Sequence, residues 1–105
     1  MLTIIAEILM NSEQDFQIVL QSFEQLIPIV LQESGCCGYE LYVDSQIESS
    51  MQTKVPYSIV MYEKWETIQH LEAHMQTIHM CAHQKAVKDK VSNVKIRILE
   101  QGIRN

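Results

Sequence analysis

Apolar residues along this chain alternate between two spacings, and the changes of spacing divide it into six segments with one long polar interruption. Residues 2–10 (LTIIAEILM) are β-branched and apolar on both alternating faces, the pattern of a strand covered on two sides. Phe16, Val19, Leu20, Phe23, Leu26, Ile27 and Val30 then recur at helical spacing and form one stripe. Ser12 stands where an N-cap is needed, and acidic residues fill the first turn, where the helix dipole favours them. Pro28 predicts a kink, because it removes an internal hydrogen bond, and Gly35 predicts the helix stop. Residues 36–43 (CCGYELYV) read as a second strand. The polar segment 44–56 (DSQIESSMQTKVP) reads as a long hairpin loop. Loops of that length often lie over a functional site, and a plain solvated excursion is the equal alternative.

Residues 57–65 (YSIVMYEKW) form the third strand. Tyr57, Ile59, Met61, Glu63 and Trp65 share one face, and Ser58, Val60, Tyr62 and Lys64 the other. A helical region from Thr67 to about Val91 carries Ile68, Leu71 and Met75, then Met80, His83 and Val87, with a bend expected at 76–78. Residues 94–100 (VKIRILE) are the last strand. The order β-α-β-β-α-β over residues 1–105 is that of a single α+β, ferredoxin-like domain, an antiparallel sheet with helices on one face. The opposite face is also rich in apolar residues, since Ile5 and Leu9 oppose Ile4 and Ile8, and Val60 and Tyr62 oppose Ile59 and Met61. A bare apolar sheet is rarely tolerated, so a homodimer through sheet faces is expected.

A 47% hydrophobic share supports a packed domain rather than a disordered chain. Net charge is −5 with no basic run, which argues against nucleic acid or anionic membrane as partner. No apolar stretch approaches the ~20 residues of a membrane span. The start of the chain lacks a positive region and is interrupted by Glu7, unlike a signal peptide. Cys36, Cys37 and Cys81 make a poor disulfide framework and suit a reducing cytoplasm.

Neither a dinucleotide-binding G-x-G-x-x-G nor a P-loop occurs, and no G-x-S-x-G elbow offers a serine nucleophile. Chemistry near neutral pH points to the four histidines His70, His74, His79 and His83. His83 lies on the Met80–Val87 stripe and is expected to face the sheet, His74 flanks the first stripe, and His70 lies further toward solvent. His70/His74 and His79/His83 are i,i+4 pairs able to chelate. HLEAH is not H-E-x-x-H, however, and neither pair has an obvious third ligand, so no metal is expected. Glu63 and Trp65 share a strand face. Burial would make Glu63 a usable base and Trp65 a wall for a flat ligand, while a salt bridge and core packing are the plainer alternatives. Tyr39 offers a phenolic hydrogen bond or simple sheet packing. Met51, Met61, Met75 and Met80 could shape an adaptable pocket or merely fill core. Cys81, near two histidines, reads as inert filler rather than a nucleophile.

The runs Gly35-Cys36-Cys37-Gly38-Tyr39, Ile59-Val60-Met61-Tyr62-Glu63-Lys64-Trp65-Glu66-Thr67 and His70-Leu71-Glu72-Ala73-His74-Met75-Gln76-Thr77-Ile78-His79-Met80 resemble the antibiotic biosynthesis monooxygenase superfamily, in particular its quinol monooxygenases. The likeness covers nearly the whole chain, with Ile78 standing where the family often has proline. It implies a dimeric α+β barrel with a pocket between sheet and helices in each subunit. It also implies oxidation of a menadiol-like dihydroxynaphthalene to its quinone by O₂, with no cofactor. A deprotonated quinol is itself the electron donor, so the protein must supply a proton acceptor, a dry pocket and hydrogen bonds. On that reading His74, His79 and Glu63 are the catalytic candidates, and Trp65, His83, Tyr39, Met61 and Met80 contact the substrate. Three alternatives stand beside it. An isomerase of a small phosphorylated dicarbonyl would want a cation cluster, yet Lys54, Lys64, Lys85, Lys88, Lys90, Lys95, Arg97 and Arg104 lie mostly toward the C-terminus. Haem degradation would want an asparagine where Ala6-Glu7-Ile8 stand. The last is a non-catalytic small-molecule-binding dimer.

Overall fold

The computed structural model describes residues 1–103, so Arg104 and Asn105 lie outside the described residues. The elements are β1 (Leu2–Met10), α1 (Glu13–Val30), β2 (Cys36–Tyr42), β3 (Ser58–Trp65), α2 (Ile68–Met75), α3 (Ile78–Val87) and β4 (Val91–Leu99). One antiparallel sheet runs in the order β2-β3-β1-β4, the α+β ferredoxin-like arrangement. Its register pairs Ile4 with Glu63, Ala6 with Met61 and Ile8 with Ile59, which puts the alternating apolar set of β1 and β3 on the helix side. There they pack with Val19, Phe23, Leu26 and Val30 of α1 into one core.

Ser12 caps α1 as its position predicts, its Oγ accepting from Asp15 N at 3.1 Å. The other end differs from expectation. Pro28 lies in the last turn, and the helix closes at Val30 with Leu31 as its cap, well short of Gly35. Amides of Leu31, Gln32 and Glu33 donate back to Ile27, Ile29 and Val30 and satisfy the last carbonyls locally. Gly35 works later, where φ of +80° turns the chain into β2 and its carbonyl accepts from Glu66 N. A Cβ there would stand 2.2 Å from His70 Cγ, so His70, half-buried and more exposed than His74, packs against this glycine.

The bend expected at 76–78 is a break between two helices. Gln76 N and Thr77 N close α2 on the carbonyls of Ala73 and His74. Thr77 then starts α3: its Oγ1 accepts from Met80 N at 3.2 Å and donates to the His74 carbonyl at 2.8 Å. A threonine thus does the work at this corner, and Ile78, in the family's proline position, is 89% exposed.

β4 begins three residues earlier than its sequence pattern suggests, and its apolar alternation does not mark burial. Val94, Ile96 and Ile98 face the helix side opposite Ile8, Ala6 and Ile4, yet they are 46%, 58% and 50% exposed. The helices roof β1 and β3 but not this edge strand. On the face without helices, Ile5, Leu9, Val60 and Tyr62 form a half-buried apolar patch interrupted by Glu7, which stands opposite Val60 and Lys95. Glu40, Lys64, Lys95 and Arg97 surround it, so this face is more mixed than the sequence pattern implied. The segment between β2 and β3 carries neither helix nor strand. Asp44 Oδ2 accepts from Val55 N at 2.6 Å and ties its two ends together. Among the described residues no helix is long and apolar enough to cross a membrane.

Candidate active site

Between the helices and β1, and open on the side of β4, lies a cavity of about 580 Å³. Ile4, Ala6 and Ile8 make its floor, Val94, Ile96 and Ile98 its open flank, and Phe23, Leu71, Met75 and Val87 its roof. That volume suits a small organic ligand, and so does a mainly apolar lining with a few convergent polar groups. The deeply buried polar groups are Tyr39 and Glu63 from the sheet, His74 from α2 and His83 from α3.

His74 is the most enclosed of them. Its ring lies against Trp65, with centroids 4.8 Å apart, and meets Tyr39 edge-on at 5.4 Å. Its Nδ1 lies 3.0 and 3.1 Å from the two carboxylate oxygens of Glu33. A carboxylate only accepts, so Nδ1 carries the hydrogen, and in the neutral ring the lone pair is on Nε2. The same carboxylate meets His79, whose Nε2 is 2.6 Å from Oε2. Continuous helix would set residues five apart about 140° from each other around the axis, too far to share a partner. The Thr77 corner brings His74 and His79 onto one group.

Glu63 faces the cavity two residues before Trp65, whose indole N–H donates to Oε1 at 3.0 Å. Burial pushes the Glu63 carboxyl above the ordinary carboxylate range, against the lowering effects of the indole bond and of His74. Burial also pushes the Tyr39 phenol far up, so it is a hydroxyl donor at any working pH. His83 Nδ1 pairs with Ser22 Oγ at 2.7 Å, and its ring packs on Phe23 at 4.3 Å. Desolvation lowers its pKa to about 4, which keeps the imidazole neutral. His83 therefore points to α1 rather than squarely at the sheet, while still lining the cavity.

Of the residues singled out by sequence, His74, Glu63, Tyr39, His83, Met61 and Met80 line the cavity, together with Met75. Trp65 does not. It is wholly buried behind His74 and supports that ring instead of forming a wall for a ligand. His79 does not line it either, and sits on an outer groove between α1 and α3. Met51 is 89% exposed, and no residue of the 44–56 loop reaches the cavity. Two partners are absent from the sequence reading, Glu33 and Ser22. The signal for both was faint: Ser22 and Glu33 continue the Val19–Leu26–Val30 stripe at helical spacing, polar residues on a buried line. Among the described residues no group of three or more His, Cys, Asp or Glu side chains is arranged to hold a metal ion.

Fold and cavity together define a class. Residues 1–86 match the model of the family described as antibiotic biosynthesis monooxygenase, and the chain belongs to that family. Monooxygenase is therefore its coarse functional class. The chain is 51% identical over 104 residues to the probable quinol monooxygenase YgiN of Escherichia coli strain K12, an alignment that covers 98% of this chain and 100% of that one. Among solved structures, an antibiotic biosynthesis monooxygenase superposes with a TM-score of 0.80 at 22% identity, covering 96% of this chain and 98% of the other. PA3566 from Pseudomonas aeruginosa gives 0.79 at 25% identity, covering 95% and 92%.

Proposed function

We propose that this chain is a cofactor-independent quinol monooxygenase, which oxidises a menadiol-like dihydroxynaphthalene to the quinone with O₂ and works as a cytoplasmic homodimer. The observation that carries this reading is the buried His74, oriented by Glu33 and lining an apolar cavity. A bicyclic ring in that cavity would present one hydroxyl to the Nε2 lone pair. Proton transfer to His74 raises the electron density of the ring until it can reduce O₂ directly, so the substrate supplies the electrons. General-base assistance of this kind contributes about 10²- to 10⁴-fold in rate. Glu63, raised by burial, and the Tyr39 hydroxyl stand within the same cavity as hydrogen-bonding groups for the ring oxygens. A ring filling the cavity would displace water and keep these interactions strong.

Lys88 is the single lysine or arginine among the described lining residues. A phosphorylated dicarbonyl would find poor charge complementarity there, which favours the quinol over the isomerase. The homodimer rests on the helix-free sheet face, where Ile5, Leu9, Val60 and Tyr62 leave half-buried apolar surface that a second copy would cover.

Oxygen uptake with menadiol, corrected for autoxidation, tests the chemistry. Turnover well above background is expected from the wild-type protein, with a loss of 10²-fold or more in His74→Ala. A wild-type rate equal to background, or turnover of a phosphorylated dicarbonyl in its place, would sink the reading. Sedimentation equilibrium tests the assembly, and a monomer at micromolar concentration removes the dimer.

A further inference from the structure

We propose that Glu33 and His79 form a proton path between His74 in the cavity and solvent in the outer groove. This inference deepens the quinol reading and rests on it. Three observations support the path. The groups are linked in series, His74 Nδ1 to Glu33 at 3.0 Å and Glu33 Oε2 to His79 Nε2 at 2.6 Å, with no gap for a missing member. Their side-chain exposure rises along the line, from 1% at His74 through 12% at Glu33 to 25% at His79. And the ends open on different compartments, since His74 lines the cavity while His79 lines the shallow groove between α1 and α3.

The need for such a path follows from the cavity itself. A base enclosed to that degree has no bulk water to disperse the charge it gains while the ring is being oxidised, before the reduced oxygen takes a proton back. His83, the other histidine of the cavity, is held neutral by burial and gives no alternative store of charge.

Each proton moves across one hydrogen bond. The quinol O–H gives its proton to His74 Nε2, and Nδ1–H passes to Glu33. The proton between Glu33 Oε2 and His79 Nε2 settles on the imidazole, which releases its Nδ1 proton to water. The ring gives two electrons to O₂, and the reduced oxygen takes up two protons. One comes from the second quinol hydroxyl and one from His74 Nε2, after which Glu33 returns its proton to Nδ1 and His79 regains one from water. The balance is quinol plus O₂ to quinone plus hydrogen peroxide, and no oxygen atom enters the ring because a dihydroxynaphthalene already carries both quinone oxygens. Glu33 and His79 never touch substrate and are positioning and relay residues.

The test is steady-state oxygen uptake by wild type, His79→Gln and Glu33→Gln in a dilute, poorly proton-accepting buffer, repeated with rising imidazole. Both replacements keep a hydrogen-bonding side chain, and circular dichroism melts confirm folding. His79→Gln is expected to lose at least about tenfold in kcat, less than removal of the base itself. Its KM should stay near the wild-type value, and imidazole should restore the rate while leaving wild type unchanged. Glu33→Gln should lose kcat without rescue, since its site lies away from the groove. A kcat for His79→Gln equal to wild type overturns the path, and so does a loss that imidazole leaves untouched. Imidazole dependence appearing in His83→Gln alone would also overturn it, by moving the route to Ser22. A wild type without turnover removes the quinol reading and the path together, whereas an active wild type with an indifferent His79→Gln removes only the path.

Discussion

The indole N–H of Trp65 points along its own strand and donates to Glu63, 3.0 Å away on the same face of β3. This bond anchors a buried carboxyl whose cross-strand partners are Ile4 and Tyr39. Trp65→Phe removes the donor and also leaves a small void, a cost common to the wild-type and Glu63→Leu backgrounds. Loss of a buried hydrogen bond of this sort costs about 1–3 kcal/mol. Urea denaturation should therefore show Trp65→Phe less stable than wild type, with a smaller loss in the Glu63→Leu background. Equal losses in the two backgrounds would dissolve the link between the residues.

Glu63 also sets a pH dependence. Its carboxyl titrates above the ordinary value of 4.5 in the folded state. Between those two values the folded protein holds a proton that the unfolded chain has lost, so stability contributed by this residue declines as pH rises through the window. Glu63→Gln lacks the effect and keeps an acceptor for the indole. The melting temperature of Glu63→Gln relative to wild type should climb from about pH 4.5 and then level off. Parallel curves across pH 4 to 8 would contradict the assignment.

His83 slopes the other way. Its folded pKa of about 4 lies below the ordinary 6.5, so in that interval the unfolded chain binds a proton that the folded protein refuses. Wild type should lose stability as pH falls from 6.5 toward 4, and His83→Gln should lose less. Since Glu63 and His83 act in opposite directions, differential scanning calorimetry of the two single variants separates what the wild-type curve blends.

Gly35 and His70 offer a test of close approach. Gly35→Ala places a Cβ within the His70 ring and an L side chain at φ of +80°. The backbone alone costs about 1–2 kcal/mol. Thermal melts should show a larger loss in Gly35→Ala than in Gly35→Ala combined with His70→Ala, measured against His70→Ala. The difference is the steric part. If the combination is no better, the ring moves aside freely.

The strands and α1 were legible because spacing alone distinguishes period 2 from 3.6, and Ser12 marked a start. β4 misled because Val94, Ile96 and Ile98 carry the alternation of a covered strand, while coverage depends on how far the helices reach across the sheet. The site followed the same division. His74, His83, Glu63 and Tyr39 were nameable from residue type and from the face or stripe they belong to. Glu33 was not, since it stands 41 positions from His74 and only the folded corner after α1 brings them together. The destinations of His79 and Trp65 differed for a related reason: a helix break redirected one, and a neighbouring ring screened the other from the cavity.

The single bond from Val55 N to Asp44 Oδ2 has a practical use. Because the feet of this excursion are clipped to each other, residues spliced in at its apex would extend an already closed ring and place little load on the β2–β3 pairing. An affinity peptide or a fluorescent reporter grafted near Ser50 would then ride on the protein without touching the cavity under the helices.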